Sequence, residues 1–344
     1  MPKISIIIPV YNASKTIERC VKSIRAQSFN DFEAIFIDDG STDNSFAICD
    51  KFVKEDHRLI VERKPNGGVS SARNAGLSKA VGDWIAFADS DDTLDVDYLK
   101  DLYEASLSLR GIDLVLSGYK CIYPNKSVRE YIFTGGAMSP KEVLTRKRFY
   151  RYGFPFGKLY KREILNKYEI KFDTSISMAE DMLFMFETLY RSKNVFISEV
   201  CKYNYYFYPD SLSKKYWDYD SELKLFCYTK KWMKKIGGEY TEDMYSFIRI
   251  YLMRAIYSMY RPKYGMSRDK RLGILKEIYS KNVDLINKTA SNSIFLYMLK
   301  KQYIAFADTM FVVLFLLRYG MLKFLWNFRI KYKIKKQKSE KITI

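Results

Sequence analysis

The sequence predicts an α/β protein built on a largely parallel sheet, and three observations predict it. Short β-branched apolar runs alternate with amphipathic helical stretches through the first hundred or so residues, the pattern of successive βαβ units. Each run ends in a loop crowded with polar groups, and such sheets bind ligands beyond the carboxyl ends of their strands. The last of these loops, Asp89-Ser90-Asp91-Asp92, sets three carboxylates together directly after the apolar run Trp84-Ile85-Ala86-Phe87-Ala88. Close like charges raise one another's pKa unless a cation neutralises them. Hard oxygen donors at this density suit Mg²⁺ or Mn²⁺. A solvated acidic turn that caps the next helix is the alternative reading of the same four residues.

In chain order, Ile4-Ser5-Ile6-Ile7-Ile8, ended by Pro9, is a buried strand. Ile17, Cys20, Val21 and Ile24 share one face of the helix that follows. Phe32 to Ile37 is the second strand, ending in Asp38-Asp39-Gly40, with Ser41 and Thr42 offering an N-cap to a helix that contains Phe46, Ile48, Cys49 and Phe52. Leu59 to Glu62 is the third strand, Pro65-Asn66-Gly67-Gly68 a loop, and Val69 to Ala80 a helix. Trp84 to Ala88 is the fourth strand, with a helix beginning near Asp95. Beyond residue 110 strands (Asp113 to Tyr119, Tyr131 to Thr134) mix with helices, and after about residue 220 the chain reads as helical, basic and rich in Tyr and Phe. Neither a Gly-x-Gly-x-x-Gly after the first strand nor a Walker A sequence is present, which argues against dinucleotide and P-loop chemistry.

Charge divides the chain. Residues 1–110 carry 14 Lys+Arg and 18 Asp+Glu, a net −4, and the remainder carries 44 and 22, a net +22, out of +18 for all 344 residues. A basic half of this strength implies an anionic partner: a membrane surface, a phosphorylated substrate or nucleic acid. Five cysteines without a close pair argue against a disulfide framework or a zinc site. The single histidine, His57, lies among charged residues, so carboxylates are the candidates for a general base.

The motifs Ser5-Ile6-Ile7-Ile8-Pro9-Val10-Tyr11-Asn12, Ile37-Asp38-Asp39-Gly40-Ser41-Thr42-Asp43, Asn66 to Gly76 and Asp89-Ser90-Asp91-Asp92 resemble, in order and spacing, those of family-2 inverting glycosyltransferases. Gly157-Lys158-Leu159-Tyr160-Lys161 and Ala179-Glu180-Asp181 resemble the acceptor-side elements of the capsular and exopolysaccharide members. The resemblance implies a GT-A fold: a Rossmann-like mixed sheet flanked by helices, here with a helical C-terminal extension. It implies a catalytic domain over 1–218, with a nucleotide half to about 110 and an acceptor half beyond it, and a basic helical region over 219–344. It further implies that Pro9, Tyr11, Asn12, Asp39, Asn66, Arg73, Asp89, Ser90 and Asp92 contact a nucleotide-sugar. Tyr11 would pack on the base, Asp39 would accept the uracil N–H, and Asp89 would hold the ribose. Asp92 would bond the sugar or cap the following helix. Asp91 would ligate Mn²⁺ or Mg²⁺, which neutralises the leaving diphosphate. Asp181 would be the base that deprotonates the acceptor hydroxyl, oriented by Glu180, although acids in the first turn of a helix are also common for electrostatic reasons alone.

The implied reaction is transfer from a UDP-sugar to a hydroxyl of a lipid-linked or polymeric glycan, with a teichoic-acid-type polymer as the alternative acceptor. The apolar run Thr309 to Leu317 is too short to span a bilayer. With the aromatic residues after it and the basic tail from Arg329 to Lys341, it suggests a segment lying on an anionic membrane. With no signal peptide at Met1-Pro2-Lys3, the expected place is the cytoplasmic face of the plasma membrane, attached peripherally. Homo-oligomerisation is left open. The readings from another class, an inactive glycan-binding protein or a nucleic-acid-binding protein, leave the acidic rim unexplained, and no nucleic-acid partner is expected.

Overall fold

The structure, a computed structural model, describes residues 1–146, 149–176, 179–208, 219–237, 242–261, 266–289, 294–301, 303–312 and 340–343. The chain forms two units, Met1–Ser211 with Lys338–Ile344, and Leu212–Gln337.

The first unit opens with four parallel strands, β1 (Ile4–Val10), β2 (Phe32–Asp38), β3 (Leu59–Arg63) and β4 (Trp84–Phe87), joined by the helices α1 (Ile17–Arg25), α2 (Ser45–Val53) and α3 (Val69–Lys79). The β-branched runs are strands because both of their faces are covered: Ile4, Ile6, Ile7 and Ile8 are at most 1% exposed. α1 follows the face read from the sequence, burying Ile17, Cys20, Val21 and Ile24. α3 runs close over β1 at Gly76, where a Cβ would stand 2.3 Å from Ile7, so only glycine fits. α2 begins later than the Ser41–Thr42 signal, with Asn44 at its N-cap. Ser41 is used elsewhere: its hydroxyl accepts from the Asn12 backbone N–H at 3.0 Å.

After β5 (Thr93–Leu94) and α4 (Tyr98–Leu107) the chain builds two sheets from short pieces. The expected single strand from Asp113 to Tyr119 is two, β6 (Leu114–Leu116) and β7 (Tyr119–Ile122). At the break a Cβ on Gly118 would come 2.1 Å from the Tyr131 carbonyl oxygen, so the backbone passes where a side chain cannot. Then follow β8 (Val128–Ile132), β9 (Gly136–Met138), α5 (Pro140–Thr145), a 3₁₀ turn at Phe149–Gly153, β10 (Lys158–Lys161), α6 (Arg162–Lys167), α7 (Glu180–Arg191), β11 (Val195–Ile197) and β12 (Tyr203–Tyr206). The larger sheet has the order β3-β2-β1-β4-β10-β6-β11-β9, with β10 antiparallel to both of its neighbours. The smaller sheet runs β13-β8-β7-β12-β5, where β13 is Glu340–Thr343. Lys341, read from sequence as part of a basic tail, is therefore in a strand parallel to β8.

Four rings tie β4, β10 and α7 together. Phe87 meets Tyr160, Phe172 and Phe184 edge-on at 5.6, 5.3 and 5.6 Å, and Phe172 stacks on Phe184 at 4.1 Å. The second unit contains the helices α8 (Tyr219–Gly237), α9 (Glu242–Ser258), α10 (Arg268–Lys281), α11 (Val283–Thr289) and α12 (Ile294–Lys300), with residues 304–312 also helical. Arg254 of α9 pairs with the buried Glu222 of α8 at 3.0 Å, and Arg271 of α10 with the buried Asp308 at 2.8 Å. Among the described residues no helix is long and apolar enough to cross a membrane. The residues 313–339, which hold most of the apolar and basic segment expected at a membrane, lie outside the described residues.

Candidate active site

The four parallel strands end on one rim. The pairing of Val10 with Asp38, and the hydrogen bond from the Asp39 N–H to the Val10 carbonyl at 2.8 Å, bring the loops after β1 and β2 side by side. Pro9 stays inside β1, opposite Ile37. Tyr11, the first residue beyond β1, is 53% exposed and offers a ring on which a base can lie. Asn12 has a positive φ of 48°, which Asn tolerates, and its amide oxygen accepts from the Thr42 N–H at 2.9 Å. Asn12 therefore locks the first loop to the second.

Asp38 is fully buried and paired with Arg63 at 3.1 Å, a structural role at the turn. Asp39 is 3% exposed. Its Oδ1 accepts from Lys64 at 2.5 Å and from the Gly67 N–H at 3.0 Å, and its Oδ2 from the Gly68 N–H at 2.7 Å. Oδ2 keeps acceptor capacity for a further N–H. Asn66, exposed at the rim, donates to the Asp39 carbonyl at 2.9 Å. Lys64, the residue directly after β3, is thus the cation beside Asp39.

The centre of the site is Arg73. It projects from α3, is 4% exposed, and lies over the Phe172 ring at 5.2 Å. One terminal nitrogen donates to Asp181 at 2.6 Å and stands 3.5 Å from Glu180, and the other donates to Asp89 at 3.0 Å. Three carboxylates from two distant stretches of sequence meet on one guanidinium. Burial disfavours the charge on Arg73, and the three acids more than offset it, so its pKa is raised. Burial likewise pushes Asp181 up to about 8, with Arg73 and Lys158 opposing and Glu180 and Asp89 adding. Glu180 and Asp181 open α7 behind Ala179, which holds a left-handed φ of 60°, a costly backbone for a residue with a Cβ.

Asp89, Ser90 and Asp91 are half-buried at the end of β4. Burial and the Asp89 charge push Asp91 up to about 6, so a cation at Asp91 would relieve a real repulsion. Among the described residues no group of three or more His, Cys, Asp or Glu is placed to hold a metal ion. One or two carboxylates, Asp91 with Asp89 near it, would suit Mg²⁺ or Mn²⁺ only when phosphate oxygens complete the shell, a usual arrangement for Mg²⁺. Arg19 of α1, unnoticed in the sequence, donates to the Asp91 carbonyl and to the Tyr208 hydroxyl, and covers the Tyr206 ring at 3.7 Å. Asp92 does not cap α4. It is 1% exposed, and its carboxylate accepts from the Tyr203 hydroxyl at 2.7 Å and the Tyr206 N–H at 2.9 Å. It ties β12 to the acidic turn, while the cap of α4 is Asp97. Residues 209–218, which follow β12, lie outside the described residues.

Comparisons with known proteins give the family and the fold. Residues 5–169 match the family described as Glycosyl transferase family 2. The chain is 32% identical over 209 residues to Glycosyltransferase GlyG of Streptococcus pneumoniae, covering 57% of this chain and 68% of GlyG. It is 33% identical over 209 residues to TarP of Staphylococcus aureus, a poly(ribitol-phosphate) beta-N-acetylglucosaminyltransferase, covering 60% of this chain and 62% of TarP. The match to Glycosyltransferase GlyA of Streptococcus pneumoniae spans only 34% of that protein, so this chain corresponds to part of the length of some of its relatives. In fold it is similar to residues 1–349 of Staphylococcus aureus TarS in complex with UDP-GlcNAc, with a TM-score of 0.64 and 20% identity over 88% of each chain.

Proposed function

The chain belongs to glycosyl transferase family 2, and from that membership we propose that it moves a hexose or N-acetylhexosamine from a UDP-sugar to a hydroxyl of a surface glycan, with inversion at the anomeric carbon. The observation that carries this reading is the Arg73 cluster, which brings Asp89 of the donor rim within one guanidinium of Asp181.

Donor binding falls to the rim: Tyr11 stacks on the base, Asp39 accepts its N–H through Oδ2, and Asp89 holds the ribose. Asp91 is the metal ligand, and Mg²⁺ or Mn²⁺ bound there supplies charge neutralisation for the departing diphosphate. Asp181 takes the proton of the acceptor hydroxyl as that oxygen attacks the anomeric carbon on the face opposite the diphosphate. Arg73 fixes the direction of the Asp181 carboxylate, and Glu180 beside it is placed to orient the acceptor. The names of TarP and TarS support a UDP-N-acetylglucosamine donor and a polyol-phosphate acceptor. A lipid-linked glycan is the second acceptor, favoured by the basic C-terminal half.

Assays of UDP-sugars against poly(ribitol phosphate) and against polyprenyl-diphosphate-linked sugars separate the two acceptors. Asp181→Asn should bind UDP as the wild type does and lose transfer by at least about a hundredfold. Near-normal transfer by that variant would remove Asp181 from the role of base.

A further inference from the structure

The loop that carries Asp89 and Asp91 is held from one side by α1. Arg19, Cys20 and Ser23 share a face of that helix, and Gln27 follows just past its end. Arg19 donates to the Asp91 carbonyl, and the Cys20 thiol donates to the Asp89 carbonyl at 3.6 Å. The Ser23 hydroxyl accepts from the Leu94 N–H at 3.2 Å. Gln27 donates to the Asp95 carbonyl at 2.8 Å and accepts from the Leu99 N–H at 3.0 Å. These side chains fix the backbone from Asp89 to Leu99, and the apolar pattern of α1 gives no sign of it.

Arg19 is the charged member of the set and reaches further than the others. Its guanidinium bonds the Tyr208 hydroxyl at 2.5 Å and lies over the Tyr206 ring at 3.7 Å. It therefore joins the Asp91 backbone to the last residue of β12 and to the residues that leave it. The carboxylates of the loop are engaged unequally. Asp89 is held by Arg73 at 3.0 Å, and Asp92 by the Tyr203 hydroxyl and the Tyr206 N–H. Among the described residues no side chain bonds the Asp91 carboxylate, and Arg19 takes the Asp91 carbonyl in place of either nearby acid. An ion pair there would compete with a cation for the carboxylate, whereas a bond to the main chain fixes the residue and leaves its oxygens accessible.

We propose that Arg19 is a positioning residue for the metal: by fastening the Asp91 backbone to Tyr206 and Tyr208, it holds the loop in the shape that presents the Asp91 carboxylate to Mg²⁺ or Mn²⁺. This rests on the reading of Asp91 as the metal ligand. Groups that orient a ligand from outside the coordination shell typically carry roughly ten- to a hundredfold of metal affinity.

The test is calorimetric binding of UDP to the full chain at rising Mn²⁺ concentration. Arg19→Met keeps an apolar stem over Tyr206 and removes the guanidinium. The Mn²⁺ concentration that gives half-maximal UDP binding should rise by about tenfold or more, and saturating Mn²⁺ should restore the wild-type affinity for UDP. A purely structural role would lower the urea midpoint and leave the Mn²⁺ midpoint unmoved, and that result overturns the proposal. So does a UDP affinity that stays low at saturating Mn²⁺ with an unmoved Mn²⁺ midpoint, because Arg19 would then act on UDP itself. Asp91→Ala separates the proposal from the reading it rests on. If that variant keeps Mn²⁺-dependent UDP binding, the metal reading falls and this proposal with it. If it loses that dependence while Arg19→Met keeps the wild-type Mn²⁺ midpoint, only the role of Arg19 falls. Should Arg19→Met fail to fold, Tyr208→Phe removes one anchor of the guanidinium and should raise the Mn²⁺ midpoint by roughly threefold, the worth of one hydrogen bond. An unmoved midpoint in that variant overturns the proposal.

Discussion

At Arg73 a single buried guanidinium satisfies Asp89, Glu180 and Asp181, so its removal leaves a cluster of like charges with no counter-ion. Breaking such a cluster typically costs ~3–5 kcal/mol. Arg73→Ala should lower the urea midpoint of the first unit accordingly, and a midpoint equal to the wild type would show that the three acids do not depend on it. The same cluster sets a pH dependence. The Asp181 carboxyl titrates near 8 in the folded chain against an ordinary 3.8. A base must be ionised, so kcat/KM should rise with pH up to about 8 and level off. The linked stability has the opposite sense. A raised carboxyl favours the folded state fully below its ordinary pKa and loses that contribution as pH climbs through about 8. Asp181→Asn should flatten both, and a pH–rate profile with no limb between 6 and 9 would contradict the assignment.

At the scale of elements, the splitting of β6 from β7 decides how the chain beyond residue 110 is built. Gly118→Ala forces a Cβ toward the Tyr131 carbonyl at 2.1 Å, where backbone meets backbone and no rotamer offers relief. It should destabilise the first unit by at least about 2 kcal/mol in thermal or urea unfolding, and an unaltered transition would mean that the two strands can part without it. That break was not legible in the sequence, because Asp113 to Tyr119 reads as one apolar run and a lone Gly inside it signals only some irregularity. The four parallel strands and α1 were legible, because period and β-branching there agree with burial on both faces. Asp39, Arg73, Asp89 and Asp181 could be picked out by motif, whereas the meeting of Arg73 with Asp181, 108 residues away, could not. The partners of Asp92, Tyr203 and Tyr206, were hidden for the same reason: they come from a strand more than a hundred residues later. Lys158 was read as part of an acceptor-side motif, and only the fold shows that its ammonium is buried.

Over the whole molecule, chemistry and charge are separated along the chain. The rim built from the first 110 residues is acidic and the remainder carries a net +22. In the proposed function, a cation at Asp91 would reconcile an acidic rim with a diphosphate, and the basic remainder would supply the field for a polyanionic acceptor. Both statements depend on the rim being a metal-assisted UDP site. Calorimetric titration of UDP into the full chain, with Mn²⁺ and again with EDTA, tests that directly. The expected result is binding with Mn²⁺ that is lost in EDTA and lost again in Asp91→Ala. UDP binding that is indifferent to Mn²⁺ and to Asp91, or no binding to a folded chain, would contradict it.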